Sequence, residues 1–316
     1  MKELIKQTVG DLLDEMAERY PDHDAVIYND HPFRKTYSQF RDVCNEVAKG
    51  LMAMGVKRGD HVAIWATNYP EWLISIFATA KIGAVLVTVN TNYKNFELEY
   101  LLRQSDSTTL ILIDGYKDSN YVDIVNKLCP EIKDSQPGKL ESSNLPELKN
   151  IIYIGDKEHP GMLNWKELYE KAKTISDEEL QARQSSLDVH DIVNMQYTSG
   201  TTGFPKGVML THYNIVNNGK SIGDCMNFTH EDKLCIPVPF FHCFGLVLAI
   251  MACVTHGSTM APLDHFHPIR VMEVVQNEEC TALHGVPTMF ISMLEHPDFN
   301  KFKFPKLRTG IMAGSP

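Results

Sequence analysis

The chain has 316 residues, of which 43% are hydrophobic, so it is long and apolar enough to bury an extensive core in one large or two ordinary domains. Its formal charge of -10 and pI of about 5.7 give no general attraction to a polyanion, and nucleic acid is not an expected partner. The seven cysteines, an odd number without regular spacing, indicate reduced thiols and a cytoplasmic protein instead of a disulfide framework.

The ends and the apolar runs of the sequence give no sign of a membrane or export segment. Residues 1–7 are polar and lead into a helical pattern, without the apolar run of a signal peptide or the arginines of a transit segment. The longest apolar stretch, 244–254, contains a glycine and is too short to span a bilayer. We therefore expect a buried helix or strand there and no transmembrane segment. The sequence implies no particular oligomeric state.

The first 113 residues alternate between helical and extended patterns. Apolar residues recur at helical spacing over 40–51, and Gly55 follows as a left-handed cap. The next predicted elements are a strand at 62–65, a helix from Pro70 to near Gly83, a strand at 84–89, a helix at 96–104 and a strand at 110–113. Strands that alternate with crossover helices predict a largely parallel sheet.

The middle of the chain is more polar. Residues 114–150 are rich in Asp, Ser, Asn, Lys and Pro and are expected to form a connection. A short strand at 151–154, a helix that begins at 165 and a surface helix within 176–188 follow. We expect the boundary of the main lobe near residue 190, and a buried strand at 192–197 opens the next part of the chain.

Directly after that strand, hydroxyl residues alternate with glycines. The segment consists of Thr198, Ser199, Gly200, Thr201, Thr202, Gly203, Phe204, Pro205, Lys206 and Gly207. The glycines let backbone amides approach a ligand closely, and Lys206 adds a mobile positive charge. Hydroxyls, amides and one cation predict a loop that wraps a polyphosphate, although an exposed loop without a ligand is the alternative for such a composition.

This loop differs from the P-loop of kinases and GTPases. Counting from Gly200, the position that a P-loop reserves for glycine is Pro205, and Lys206 precedes Gly207 instead of Ser or Thr. Residues 208–210 have the pattern of a second strand, and a helix is expected only from Thr211 or His212. The sequence therefore predicts a strand-loop-strand arrangement.

The segment from Tyr197 to Gly207 resembles the phosphate-binding loop of the adenylate-forming superfamily, which contains acyl-CoA synthetases, luciferases and peptide-synthetase adenylation domains. The resemblance continues over nearly the whole chain, at Thr36-Tyr37, residues 55–60, Asn68 with Glu71-Trp72, residues 81–85, residues 97–100, residues 285–288 and Ala313-Gly314-Ser315-Pro316. It implies that Thr198, Ser199, Gly200, Thr201, Thr202, Gly203 and Lys206 bind the phosphates of ATP.

Residues 239–246 resemble the segment of acyl-CoA synthetases whose aromatic or histidine side chain lies beside the substrate carboxylate. This implies a catalytic and substrate-binding role for His242, with a hydrogen-bonded structural histidine as the alternative. Adenylation domains for α-amino acids have an aspartate here, because a buried ammonium requires a carboxylate partner. Phe241-His242-Cys243 offers no acid, which favours a fatty or aromatic carboxylate, with the run 244–254 lining its chain.

Two further groups of residues carry competing interpretations. Gly314, Ser315 and Pro316 resemble the small-residue turn that contacts adenine and the acyl group, with a disordered terminus as the alternative. A zinc site is disfavoured because the spacing of the candidate ligands matches no compact zinc pattern; these ligands are Cys243, Cys253, His256, His265, His267 and His284.

The resemblance implies an α/β fold of layered, mostly parallel sheets flanked by helices. Residues 1–316 would form part of a large N-terminal adenylation domain, with lobes of about 50–190 and 191–316 and residues 1–49 packed on the second. The implied reaction joins a medium- or long-chain fatty acid to AMP from ATP, with magnesium, and then to coenzyme A.

The later motifs of the superfamily do not occur in these residues. They are the Tyr-Gly-x-Thr-Glu segment with its metal-binding glutamate, the ribose-binding aspartate, the hinge, and the C-terminal domain with its catalytic lysine. We therefore expect the parent protein to be a fatty-acid-CoA ligase and the chain by itself to be inactive. The alternatives are a non-catalytic module that binds nucleotide or acyl groups, and adenylation of another carboxylic acid such as an aryl acid.

Overall fold

The computed structural model describes residues 3–198 and 205–314. The helices are α1 (Val9–Arg19), α2 (Tyr37–Ala53), α3 (Pro70–Ile82), α4 (Asn95–Gln104), α5 (Tyr121–Leu128), α6 (Glu167–Ala172), α7 (Asp177–Ser185), α8 (His212–Cys225), α9 (Cys243–Gly245), α10 (Ala252–Val254), α11 (Pro268–Asn277) and α12 (Pro287–Leu294). A π-helix (Leu246–Met251) joins α9 to α10, and 3-10 turns lie at Pro130–Asp134 and Phe299–Lys301.

The strands form two large sheets and one small hairpin within the described residues. They are β1 (Asp24–Ile27), β2 (Arg34–Thr36), β3 (His61–Trp65), β4 (Val85–Thr88), β5 (Ser107–Leu112), β6 (Gly115–Tyr116), β7 (Ser119–Asn120), β8 (Asn150–Tyr153), β9 (Leu163–Asn164), β10 (Ile192–Thr198), β11 (Lys206–Thr211), β12 (Lys233–Ile236), β13 (Thr259–Pro262), β14 (Ala282–Gly285) and β15 (Thr309–Met312).

The first large sheet has the order β11-β10-β4-β3-β5-β8-β9 and is parallel except for the β10-β11 pair. The second has the order β15-β14-β12-β13-β1-β2 and is parallel except for β1-β2. This confirms the prediction of layered, mostly parallel sheets flanked by helices. Because β10 and β11 extend the first sheet, the chain passes from the first sheet to the second after residue 211.

Two helices show how local sequence determines where an element ends. After α2, the Gly55 N–H bonds to the Met52 carbonyl and the Val56 N–H to the Leu51 carbonyl, with Gly55 at φ +87°. This is a Schellman motif, which needs a residue that accepts a left-handed conformation. Gly83 ends α3 in the same way, at φ +72°. Both helix ends agree with the predictions from sequence.

Helix α3 is buried almost all round and packs against α1, α2, α7 and β4. Its single buried lysine, Lys81, is 1% exposed and bonds to Asp14 at 2.5 Å and to Gln184 at 3.2 Å. A buried ammonium is tolerated only when it is paired in this way. One continuous cluster of apolar side chains contains residues of both large sheets, so the two sheets share a core.

The polar connection predicted over residues 114–150 contains one helix that the sequence analysis misses. Helix α5 begins after Asn120, whose side chain accepts a hydrogen bond from the Asp123 N–H. Its buried side chains include Tyr121, whose ring stacks on Trp65 at 3.5 Å. In the described part of the chain, no helix is both long and apolar enough to cross a membrane.

Candidate active site

The predicted strand-loop-strand arrangement is present. Strands β10 and β11 are antiparallel, and the last pair in their register is Thr198 with Lys206. The loop that joins them is therefore closed by these two residues. Helix α8 begins only at His212, six residues after Lys206, so the segment does not run from strand directly into helix as a P-loop does. Both Thr198 and Lys206 are exposed.

Most residues of the predicted phosphate loop lie outside the described residues. These are Ser199, Gly200, Thr201, Thr202, Gly203 and Phe204, together with Ser315 and Pro316 of the second motif. Their roles, and those of Thr198 and Lys206 as phosphate ligands, stay predictions.

Helix α4 holds the base of the hairpin. The Tyr100 hydroxyl donates to the Pro205 carbonyl at 3.2 Å, and the Tyr197 hydroxyl donates to the Leu101 carbonyl at 3.4 Å. On the other side, β10 pairs with β4 at Asn194, so the strand that enters the loop is anchored in the sheet. These contacts fix both ends of the loop relative to the sheet.

His242 occupies the N-cap of α9, at the start of the helical stretch 243–254. Its Nδ1 atom accepts a hydrogen bond from the Phe244 N–H at 3.1 Å. Partial burial lowers the pKa of His242, which favours the neutral ring. With Nδ1 used as an acceptor, the proton lies on Nε2. The His242 ring therefore has an Nε2–H that can donate to an oxygen of a bound carboxylate.

The turn that carries His242 is tightly packed. A side chain at Gly245 would overlap the Pro239 carbonyl group, since its Cβ would lie 2.7 Å from the Pro239 carbonyl carbon and 2.9 Å from the Phe240 Cα. The Phe240 ring packs against Trp72 of α3 at 5.5 Å. Sequence reasoning assigns Gly245 no role, although a glycine within an apolar run is a signal of close backbone approach.

The apolar run 244–254 is helical, and it is buried except for Leu248, which is partly exposed. Of the predicted alternatives, a buried helix or a buried strand, the helix is therefore the one present. Its π-helical part is contacted by His284 of β14, whose Nε2 bonds to the Leu248 carbonyl at 3.0 Å while its Nδ1 accepts from the Ile311 N–H at 3.2 Å. Burial lowers the pKa of His284 to about 4. His284 is therefore neutral and links this helix to β14 and β15.

Gly314 lies beyond the carboxyl end of β15. It adopts φ +91°, and an added Cβ would be 3.2 Å from Val286, which follows β14. His242 follows β12 of the same sheet, and the carboxyl ends of parallel strands meet at one edge. His242 and Gly314 are thus at the edge where open α/β sheets bind ligands, whereas Lys206 belongs to the other sheet.

The candidate metal ligands are not gathered into one site. Cys253 is fully buried, and His256 bonds to Asp224 and to the Ala252 carbonyl. A search over residues 3–198 and 205–314 finds no group of three His, Cys, Asp or Glu side chains arranged to hold a metal ion.

The layered, mostly parallel sheets and the strand-loop-strand segment are the arrangement expected of the adenylate-forming type, and the family assignment agrees. The family model described as "AMP-binding enzyme" matches residues 13–316, and the chain belongs to this family.

Individual relatives are similar over the whole chain. The chain is 57% identical to YngI of Bacillus subtilis (strain 168), whose description as an acyl-CoA synthetase is provisional, over 100% of this chain and 58% of YngI. It is 38% identical to the mitochondrial medium-chain acyl-CoA ligase ACSF2 of Danio rerio, over 99% of this chain and 52% of the relative. The chain thus spans about half the length of the curated relatives it matches.

Solved structures share the fold. The inhibitor-bound N-terminal domain of FACL13 from Mycobacterium tuberculosis superposes with a TM-score of 0.80 at 25% identity, over 99% of this chain and 71% of that domain. The anthranilate CoA ligase AuaEII, in complex with anthranoyl-AMP, gives a TM-score of 0.82 at 21% identity, over 99% of this chain and 56% of that protein. The second likeness concerns the fold alone.

Proposed function

We propose that the chain is the ATP-binding portion of an acid-thiol ligase that activates a medium- or long-chain fatty acid, first as the acyl-adenylate and then as the acyl-CoA. The observation that carries this proposal is the β10-β11 hairpin, which is closed by Thr198 and Lys206 and whose connecting residues 199–204 are mainly Ser, Thr and Gly. The family assignment and the similarity to a medium-chain acyl-CoA ligase support it.

In the first half-reaction, a carboxylate oxygen of the acid attacks the α-phosphorus of ATP. A new C–O–P linkage forms, the bond from the α-phosphorus to the bridging oxygen breaks, and its electron pair leaves with pyrophosphate. Loop amides, hydroxyls and the Lys206 ammonium would hold the β and γ phosphates as charge builds on them. The His242 Nε2–H would orient the attacking carboxylate without giving up its proton.

In the second half-reaction, the thiolate of coenzyme A attacks the acyl carbonyl carbon, the C–S bond forms, and AMP leaves with the C–O bond electrons. Magnesium would accompany ATP and screen its phosphates. The described residues contain no cluster that would hold it, and the glutamate motif that the resemblance implies for this role does not occur in residues 1–316.

The side chains around His242 support the proposed preference for a fatty acid. Phe241 is partly buried, Phe244 is buried, and helical residues 246–254 are almost entirely buried apolar residues. The segment offers no carboxylate to neutralise a substrate ammonium, and an unpaired buried charge is costly. An alkyl chain would need no polar partner in such surroundings. An aryl acid satisfies the same condition and is the second candidate for the substrate.

The test of the substrate class is acid-dependent exchange of labelled pyrophosphate into ATP by the complete protein. Octanoate and dodecanoate should support exchange above background, whereas phenylalanine should not. Exchange with benzoate or anthranilate but with neither fatty acid would favour the aryl-acid candidate. Absence of exchange with every acid in the panel would refute the proposed function.

For the 316 residues alone we infer binding without turnover, because the superfamily's catalytic lysine, metal-binding glutamate and ribose-binding aspartate motifs do not occur in them. The chain should bind ATP but form no acyl-adenylate when it is incubated with ATP, magnesium and dodecanoate. Detection of dodecanoyl-AMP by mass spectrometry above a His242→Leu control would contradict this inference.

A further inference from the structure

The loop between β3 and α3 touches the segment that carries His242, although the two belong to different sheets. Asn68 in this loop is 3% exposed. Its side-chain amide nitrogen donates to the Val238 carbonyl and to the Leu263 carbonyl, each at 3.0 Å. Its side-chain oxygen accepts from the Phe240 N–H at 2.8 Å. One side chain therefore holds backbone groups that follow two neighbouring strands, β12 and β13.

The three contacts demand an amide at this position. Only asparagine and glutamine side chains provide two donors and an acceptor on one planar group, and the longer glutamine would not fit the same distances. The amide orientation is also determined by its partners, because the nitrogen faces two carbonyl oxygens and the oxygen faces an N–H. An aspartate would direct an oxygen at the Val238 and Leu263 carbonyls and would leave those two buried acceptors without a donor.

The held segment leads directly to His242. The Phe240 N–H is fixed by Asn68, the His242 N–H bonds to the Pro239 carbonyl at 3.3 Å, and the His242 ring caps α9. The neighbouring Trp72 packs its ring on Phe240 at 5.5 Å. Movement of Phe240 would therefore move the His242 ring as well.

Asn68 is also linked, through neighbouring strands, to the β10-β11 hairpin. Asn68 follows β3, which pairs with β4, and β4 pairs with β10, the strand that enters the loop. The main chain of Asn68 also bonds to the six-stranded sheet, through its N–H to the Asp264 carbonyl at 3.2 Å. Asn68 thus lies where the sheet that carries Lys206 meets the sheet that carries His242.

We propose that Asn68 is a positioning residue that sets the placement of the carboxylate-orienting His242 relative to the bound nucleotide. This inference rests on the proposed function, since it concerns the alignment of an acid with a nucleotide. In-line attack on the α-phosphorus is sensitive to small misplacements of either reactant. A ligand that occupies both sites at once should therefore depend on Asn68 more than a ligand that occupies one.

The experiment compares Asn68→Ala, Asn68→Asp and the control Thr67→Val in the 316-residue chain. Thr67 is the preceding residue, and its hydroxyl bonds to Asp264 at 2.5 Å, so the control removes a contact between the sheets without touching the segment 238–242. The ligands are ATP, dodecanoate, and dodecanoyl-sulfamoyl adenosine, a stable mimic of the acyl-adenylate that joins the acyl group to the nucleoside and lacks the departing pyrophosphate. Dissociation constants are measured by calorimetry.

Both Asn68 variants should weaken binding of the mimic by about tenfold, corresponding to loss of one well-formed buried hydrogen bond. ATP alone and dodecanoate alone should change by less than about threefold, and Thr67→Val should bind all three ligands like the wild type. A residue that merely supported folding would lower the melting temperature without separating the mimic from the single ligands. The proposal would be overturned if the Asn68 variants weakened the binding of all three ligands equally. It would also be overturned if Thr67→Val weakened the binding of the mimic as much as the Asn68 variants do.

A second readout does not depend on ligand binding. Histidines labelled with ¹³C at Cε1 report the protonation and tautomer of His242 by NMR, with the resonance assigned from His242→Gln. In both Asn68 variants the His242 pKa should rise toward the ordinary value for histidine, and the tautomers should mix, while Thr67→Val leaves both unchanged. If the wild type does not bind the mimic, the proposed function fails. An unchanged His242 resonance in folded Asn68→Ala and Asn68→Asp would refute the role of Asn68 separately.

Discussion

Between pH 7 and pH 5, the wild type is expected to lose about 2 kcal/mol of folding stability through His212. Replacing His212 with asparagine is expected to abolish this loss. His212 is the first residue of α8 and is fully buried. Its Nδ1 atom accepts a hydrogen bond from the Val9 N–H at 3.0 Å, and within the described part of the chain its Nε2 has no partner. Burial lowers the pKa of His212 to about 4.

The sign follows from proton binding in the two states. An unfolded histidine titrates near 6.5, so between pH 6.5 and 4 the unfolded chain takes up a proton that folded His212 does not. Stability is therefore unaffected above about pH 7 and falls as the pH decreases through this window. At pH 5 the solution is about 1.5 units below the unfolded pKa, and each unit costs about 1.4 kcal/mol. The loss of folding free energy at pH 5 is therefore about 2 kcal/mol.

Asparagine suits the position because its side-chain oxygen replaces Nδ1 as the acceptor for Val9 and it carries no titrating proton. Urea unfolding followed by circular dichroism at pH 7 and pH 5 measures the free energy of unfolding of each variant. The control is His190→Asn, at an exposed histidine, which should keep the pH dependence of the wild type. If His212→Asn and the wild type lose the same free energy between the two pH values, the reasoning is refuted.

Two substitutions test packing elsewhere. Gly245→Ala should displace Pro239, because a well-packed turn cannot accommodate the added methyl group without shifting. Calorimetry should then show about tenfold weaker binding of dodecanoyl-sulfamoyl adenosine, and an unchanged affinity would contradict this. Arg308→Met should lower the free energy of unfolding by about 2 kcal/mol, because it leaves the buried Asp232 carboxylate without its bidentate partner. This value allows for solvent screening, since the Arg308 side chain is partly exposed. The control Lys306→Met removes an exposed ion pair and should change stability by less than about 0.5 kcal/mol, and an equal loss in both variants would contradict the assignment.

Much of the fold could be predicted because its signals are local. The ends of α2 and α3 depend on Gly55 and Gly83, whose left-handed conformations need no knowledge of the tertiary structure. The strand-loop-strand arrangement follows from Pro205 and the order of Lys206 and Gly207, which exclude a P-loop. These features were therefore accessible from sequence alone.

Helix α5 was missed although its signal was present. Tyr121, Ile124, Val125 and Leu128 have helical spacing and are buried, and Asn120 is a good N-cap. The surrounding polar residues outweighed this short pattern. The helix is stabilised mainly by tertiary packing, including the stacking of Tyr121 on Trp65, which lies far away in sequence.

The candidate site was only partly predictable. His242 was identified from a resemblance, but the hydrogen bond that leaves its Nε2–H free depends on the turn into α9. The π-helical geometry of 246–251 and its contact with His284 depend on packing between distant elements. The role proposed for Asn68 requires knowledge that β3, β12 and β13 end side by side, which no pattern within one segment conveys.

The central claim, that the β10-β11 hairpin holds the phosphates of ATP, is tested most directly by calorimetric titration of the 316-residue chain with ATP and with pyrophosphate. Lys206→Met should weaken both ligands by about tenfold, the effect of losing one charge-assisted contact at an exposed site. Lys303→Met, at an exposed lysine far along the chain, should change neither. Wild-type affinity for both ligands in Lys206→Met, or no binding of ATP by the wild type, would contradict the account.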